Sequence, residues 1–145
     1  MSNASSTITV GNRVEELARI YAALDEFAER SRLPEAARRA LLLVVEELFT
    51  NIVGHGYRAD AADSVVLTVE RDSQGLILTL RDRGTAFDVA QPPKRPDEDL
   101  ALDDMPVGGL GLFLVHEFAR SVTNRRDGNL NVTEVRLPVD EAEAI

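Results

Sequence analysis

The stretch "DSVVLTVERDSQGLILTLRDRG", residues 63–84, decides the class of fold. Both halves are rich in β-forming residues and alternate in polarity, and "DSQG" between them is turn material. The pattern predicts an antiparallel hairpin. Upstream, "STITV" (6–10) predicts a short strand that Gly11-Asn12 breaks, with Asn12 suited to cap a helix. From Arg13 to about Arg30, Val14, Leu17, Ala18, Tyr21, Leu24 and Phe27 follow helical spacing. Pro34 suits the first turn of a second helix, with Ser31 or Leu33 just outside it, and glycines stop that helix near Gly54. Downstream, residues 85–107 are rich in proline and charge and hold no sustained period. "GGLGLFLVHEFAR" is a glycine-opened apolar helix, and "SVTNRRDGNLNVTEVRLPV" a second hairpin around "RDGN". The order β-α-α-β-β-loop-α-β-β segregates helices from hairpins. It predicts an α+β fold, a two-layer α/β sandwich whose mostly antiparallel sheet carries helices on one face. No internal repeat interrupts it. One domain is expected over 8–138, between a flexible N-terminus (1–7) and an acidic tail (139–145).

The 145 residues suit a single core, and at 44% hydrophobic with no Trp that core must be mainly aliphatic. With 25 acidic against 16 basic residues, the formal charge is −9. Such a balance argues against a broad nucleic-acid surface, which needs clustered Lys and Arg. It leaves room for one nucleotide at a local electropositive spot. Absence of cysteine removes disulfides and thiolate metal sites and fits a reducing cytosol. No run approaches the ~18 apolar residues of a membrane span, and no secretory leader pattern opens the chain. A cytoplasmic location is therefore expected, and "NVT" at 131–133 is an accidental match to the glycosylation pattern.

Three short motifs carry possible chemistry. In "VVEELFTNIVGHGY" (44–57), Leu41, Val45, Leu48 and Ile52 share the apolar stripe of the second helix. Glu47, Asn51 and His55 run along its edge, each about 40° on from the last. An Asn oxygen is a neutral hard ligand suited to Mg²⁺ that also holds phosphate oxygens, and a Glu one turn earlier can accept a proton. Taken alone, the stripe also describes a surface edge with a histidine at the helix end. In "LTLRDRGTAFD", Asp82 ends a strand and Gly84 follows. A carboxylate there can accept from an amine such as that of adenine, and Gly84 allows close approach of a ring. An ordinary strand-to-loop turn fits as well, and Asp88 is either a loop cap or solvated. In "GGLGLF", Gly108, Gly109 and Gly111 open a helix whose first N–H groups are unpaired and favour an anion. No GK[ST] follows, so it is not a P-loop, and a Rossmann fingerprint is also missing. Glycine as helix punctuation is the plain alternative, although three glycines weaken a helix.

The joint order E-x-x-x-N, D-x-G, long loop, G-x-G resembles the GHKL (Bergerat-fold) ATPase superfamily. Within it, single-domain length and wording resemble the bacterial anti-sigma factor/serine-protein kinase branch, over roughly residues 8–138. The resemblance implies that Glu47 is the catalytic base and Asn51 the Mg²⁺ ligand. It implies that Asp82, supported by Gly84, binds the adenine amine, and that residues 89–107 form an ATP lid. Gly109, Leu110 and Gly111 match the phosphate-binding helix start, and Thr133 loosely matches a Thr near the adenine-binding carboxylate. ATP and Mg²⁺ are the implied cofactors. A sigma factor and a STAS-type anti-sigma-factor antagonist are the implied partners, and the branch commonly forms homodimers. His55 falls in the matched N box but reads as a structural helix-end residue. His116 is expected at the surface or in packing, and two histidines cannot build a typical zinc site.

One departure bears on activity. Kinases of this branch place a basic residue just before the second glycine box, where this chain has "DDMPVGG"; Lys94 and Arg95 lie earlier in the lid. Two functions follow: an ATP·Mg²⁺-dependent serine/threonine kinase acting on the antagonist, or a non-catalytic, nucleotide-dependent protein-binding regulator. A phospho-acceptor component of a two-component system is a poorer match, since neither His has a helical hairpin around it.

Overall fold

The computed structural model describes residues 4–55, 63–84 and 109–139. Its strands are β1 (Ser5–Gly11), β2 (Ser64–Asp72), β3 (Gly75–Asp82), β4 (Ser121–Asp127) and β5 (Leu130–Leu137). They form one antiparallel sheet in the order β1-β2-β3-β5-β4. Helices α1 (Leu17–Arg30), α2 (Glu35–His55) and α3 (Gly109–Phe118) complete the two layers, as the segregated order of elements predicts. None of the described helices is long and apolar enough to cross a membrane.

Alternation along the strands explains why one face is covered. Val65, Leu67 and Val69 of β2, Leu76, Leu78 and Leu80 of β3, and Val135 and Leu137 of β5 are buried in one cluster. Ile20, Leu24 and Phe27 of α1 meet them there, with Leu41, Val44, Val45, Leu48 and Phe49 of α2 and Val115 of α3. Among the described residues the buried core is aliphatic apart from Phe27 and Phe49, as the scarcity of aromatics predicts. On α1 the buried stripe is rotated from the expected one. Ile20, Leu24, Phe27 and Ala28 face inward, Ala18 is exposed, and Val14 is 50% exposed. A 3₁₀ turn at Val14–Glu16 winds more tightly than the helix and takes Val14 off its stripe, while within α1 Ile20 holds the inward place that Ala18 lacks.

Asn12 does not cap α1. Its backbone N–H donates to the Asp63 carbonyl (3.0 Å), and its side-chain Oδ1 accepts from the Asp63 N–H (3.0 Å). The residue thus extends the β1–β2 pairing by one step. Ser5, Ser6 and Thr7, expected to be flexible, belong to β1 and pair with Glu70, Val69 and Thr68. Alternating Thr and Ile supplies the β-propensity that the polar first residues conceal.

α1 ends in a Schellman motif. Leu33 N–H reaches the Ala28 carbonyl (3.0 Å) and Arg32 N–H the Glu29 carbonyl (3.1 Å). Arg32 occupies the left-handed position, at φ 54°, that glycine usually takes. The Arg71 guanidinium binds the Ser31 and Arg32 carbonyls and holds this turn against β2.

The two hairpins close tightly. Asp72 pairs with Gly75, and Asp127 with Leu130, leaving two-residue turns at Ser73-Gln74 and Gly128-Asn129. Gly128 has φ 63°, a left-handed value that glycine takes readily at the first position of such a turn. After β3 the chain reaches edge strand β4 through α3 and returns as β5 beside β3. That return places Asn131 opposite Asp82.

Candidate functional site

Two groups of side chains lie at the helix-facing surface of the sheet, joined by a shared core that includes Leu48, Leu80 and Val115. The first is built by α2 and α3. Glu47 and Asn51 are one turn apart on α2, whose inner face is anchored by Val44, Val45 and Leu48. Asn51 is 7% exposed, and its Nδ2 donates to the Glu47 carbonyl at 2.8 Å. With the nitrogen so engaged, the amide turns its oxygen away from the helix backbone, available as an acceptor or metal ligand.

Glu47 meets the start of α3. A Cβ built on Gly111 would collide with Glu47 Oε2 and lie 3.2 Å from its Cγ. Only a residue without a side chain lets the carboxylate rest against this helical turn, which answers why glycine is placed where it weakens the helix. Burial, and secondarily the adjacent Glu46 carboxylate, pushes the Glu47 carboxyl up from its ordinary value. Tyr21 of α1 belongs to the same set. Its phenol is pushed up to about 12 by burial, by its hydrogen bond to Glu46, and by the charges of Glu46 and Glu47.

The second group closes the end of β3. Asp82 is 4% exposed, and its Oδ1 accepts from Gly84 N–H (2.9 Å) and Asn131 Nδ2 (3.1 Å). Asn131, also 4% exposed, gives a second hydrogen bond to the Gly84 carbonyl (3.0 Å). Arg126 Nη1 donates to the same carbonyl (3.0 Å) and to Asn131 Oδ1 (2.8 Å). Thr133, two residues along β5, points to the same face as Asp82 because Leu80 and Asp82 pair with Thr133 and Asn131. Its hydroxyl accepts from Asn124 Nδ2 at 2.9 Å. Between Asp82 and Gly84, the exposed Arg83 forms a two-pronged ion pair with Asp63. The Arg83 hydrogen bond, then the Ser64 N–H, holds the Asp63 carboxyl below its ordinary value against a smaller effect of burial.

The structure therefore brings Glu47, Asn51 and Gly111 together, and separately Asp82, Gly84 and Thr133. Gly109 and Leu110 form the first residues of α3. Gly108, Asp88, the expected lid 89–107 with Lys94 and Arg95, the His55 side chain and tail residues 140–145 lie outside the described residues. Asn131 and Arg126 are site residues that sequence reasoning misses. Asn131 shows there only as the start of "NVT", and its burial beneath Asp82 is incompatible with carrying a glycan. The "DG" turn fixes their place within the hairpin, but nothing local reports which residue of β3 they face.

Asn51 Oδ1 is a neutral oxygen donor of the kind a hard divalent cation accepts. Among the described residues no group of three or more His, Cys, Asp or Glu could hold a metal. A cation beside Asn51 would draw its other ligands from phosphate and water, the manner in which Mg²⁺ is bound.

Residues 10–137 match the histidine kinase-like ATPase domain, and the chain belongs to that family. Within it, the chain is similar to serine/threonine-protein kinase BtrW of Bordetella bronchiseptica, 31% identical over 118 residues covering 79% of this chain and 82% of that protein. It is also similar to serine-protein kinase RsbW of Bacillus licheniformis, 29% identical over 102 residues covering 67% of this chain and 62% of the relative. Two solved structures share the fold. A Mycobacterium tuberculosis protein with RsbU and RsbW domains superposes with a TM-score of 0.61 at 14% identity, covering 92% of this chain; the chain spans 32% of that protein. A blue-light activated histidine kinase of Erythrobacter litoralis gives 0.57 at 19% identity, covering 90% of this chain and 43% of that one.

Proposed function

We propose that the chain is an ATP·Mg²⁺-binding anti-sigma regulatory factor that phosphorylates a serine or threonine of a STAS-type anti-sigma-factor antagonist. The observation that carries this reading is the Glu47 carboxylate seated on Gly111, with Asn51 one turn on. It joins a general base, a cation ligand and a helix N-terminus suited to phosphate. The names of the two kinase relatives support the same activity.

In this mechanism Asp82 accepts a hydrogen bond from the adenine amine, and Thr133 and Gly84 line the ring's approach. The first N–H groups of α3 meet the phosphates. Asn51 Oδ1 would hold Mg²⁺, which would supply charge to neutralise the phosphates. Glu47 takes the proton of the substrate hydroxyl as its oxygen forms a bond to the terminal phosphorus. The bond from that phosphorus to the bridging oxygen breaks, and ADP leaves with the electron pair. Burial helps Glu47 here, since a raised carboxyl is a better base than an exposed one. The protein works in the cytoplasm, as a monomer or homodimer, exchanging between sigma factor and antagonist.

A second reading is favoured by "DDMPVGG" at 103–109, which offers no basic group to the terminal phosphate. In it the chain binds ATP and partners without transferring phosphate. Labelled phosphate transfer from ATP to the antagonist, with wild type, Glu47→Gln and Asn51→Ala, separates the two. The kinase reading expects transfer by wild type and none by Glu47→Gln, which still binds ATP. Intact ATP binding without transfer by wild type would leave the second reading. No ATP binding at all would overturn both.

A further inference from the structure

We propose that Asn131, anchored by Arg126, orients the Asp82 carboxylate and thereby makes the site select 6-amino over 6-oxo purine nucleotides. The inference rests on the nucleotide-binding reading above and deepens it by assigning a source of base specificity outside the motifs.

Arg126 can only donate hydrogen bonds. Its Nη1 lies 2.8 Å from Asn131 Oδ1, so the oxygen end of that amide is the end facing the guanidinium. The NH₂ end is then turned the other way, onto Asp82 Oδ1 at 3.1 Å and the Gly84 carbonyl at 3.0 Å. Arg126 also binds the Gly84 carbonyl, which fixes the turn carrying the second donor to Asp82, the Gly84 N–H. Polarity thus runs in one direction, from guanidinium to amide to carboxylate, and no member can flip without setting donor against donor.

The result is an asymmetric carboxylate. Two N–H groups converge on Oδ1, and among the described residues nothing donates to Oδ2. Asp82 is 4% exposed, and Oδ2 is the oxygen of its carboxylate left for a ligand to meet. An ionised carboxylate oxygen accepts and cannot donate. Adenine offers it a donor at the 6-position. Hypoxanthine and guanine offer a carbonyl there, and two acceptors repel. A fixed Oδ2 enforces this distinction, whereas a carboxylate free to rotate could turn its edge away from the 6-oxo group.

The test is the ratio of affinities for ATP and inosine triphosphate, measured calorimetrically. That ratio is insensitive to a general loosening of the site, which weakens both ligands alike. Wild type is expected to favour ATP. Asn131→Asp keeps the shape but replaces the donor with a second carboxyl, and should lower the preference about tenfold or more, since it removes a hydrogen bond to a charged group. Arg126→Ala touches an exposed residue and leaves the fold intact even if Asn131→Asp does not. It should lower the preference less, by freeing the amide. If folded Arg126→Ala and Asn131→Asp keep the wild-type ratio while Asp82→Asn loses it, the role of Asn131 is overturned and the nucleotide reading stands. If wild type binds neither nucleotide, that reading falls and this inference with it.

Discussion

At the scale of single residues, Gly111 and Glu47 set the sharpest expectations. Gly111→Ala would raise helix propensity by about 1 kcal/mol, and the Glu47 carboxylate is a flexible end that can swing aside. The variant should therefore melt at or above the wild-type temperature yet lose phosphate transfer far more than ATP affinity. Equal loss of both would place the glycine's role in binding. Glu47 also has a pH signature. Its carboxyl titrates above the ordinary 4.5 in the fold, so its favourable contribution is full below the unfolded value and is lost as pH rises through the folded one. Glu47→Gln should raise the melting temperature at pH 7, with the gain vanishing near pH 4; a pH-independent gain would contradict the burial argument. The Glu47–Asn51 pair was legible in sequence because one helical turn separates its members. Asn131 and Arg126 were not, because their partners Asp82 and Gly84 lie 49 and 42 residues away along the chain.

At the scale of elements, the helix ends separate what periodicity reveals from what it hides. Helical spacing located α1, α2 and α3, and turn residues located both hairpins. Val14 was misread because the chain there winds as a 3₁₀ turn, out of phase with α1, and apolar spacing alone carries no record of it. Asn12 was misread because an Asn before a helix is also an Asn after a strand, and here the strand claims it. The end of α1 yields a stability prediction. Arg32 holds a left-handed conformation that an L side chain resists, and Arg71 compensates by binding the carbonyls around it. Arg32→Gly should stabilise the protein by about 0.5–1 kcal/mol in urea unfolding. Arg71→Ala should destabilise it, and less severely on the Arg32→Gly background.

At the scale of the whole molecule, the layer architecture was legible because helices and hairpins are segregated along the chain. The strand order was not: that β5 lies between β3 and β4 depends on a long-range pairing no local pattern encodes. The far end of the sheet has its own tie. Asp63, bound through its backbone to Asn12, pairs with Arg83 in the turn that carries Asp82. The Asp63 carboxyl is held low, so its contribution is present above the ordinary 3.8 and is lost as pH falls through the folded value. Arg83→Ala should lower stability at pH 7 by a small amount, because Arg83 is half exposed, and the difference from wild type should vanish as pH falls through the Asp63 value. A difference that is the same at every pH, or none at pH 7, would show the pair to be energetically idle.

The seat of Glu47 on Gly111 also limits how this chain can diversify. A residue with any side chain at 111 is admissible only if the acid at 47 shortens or turns away, so the two positions cannot drift independently. Relatives that have lost glycine here are expected to have lost or replaced the acid in the same lineage. Ancestry would then preserve, as paired substitutions, a contact between two motifs that each read as separate words.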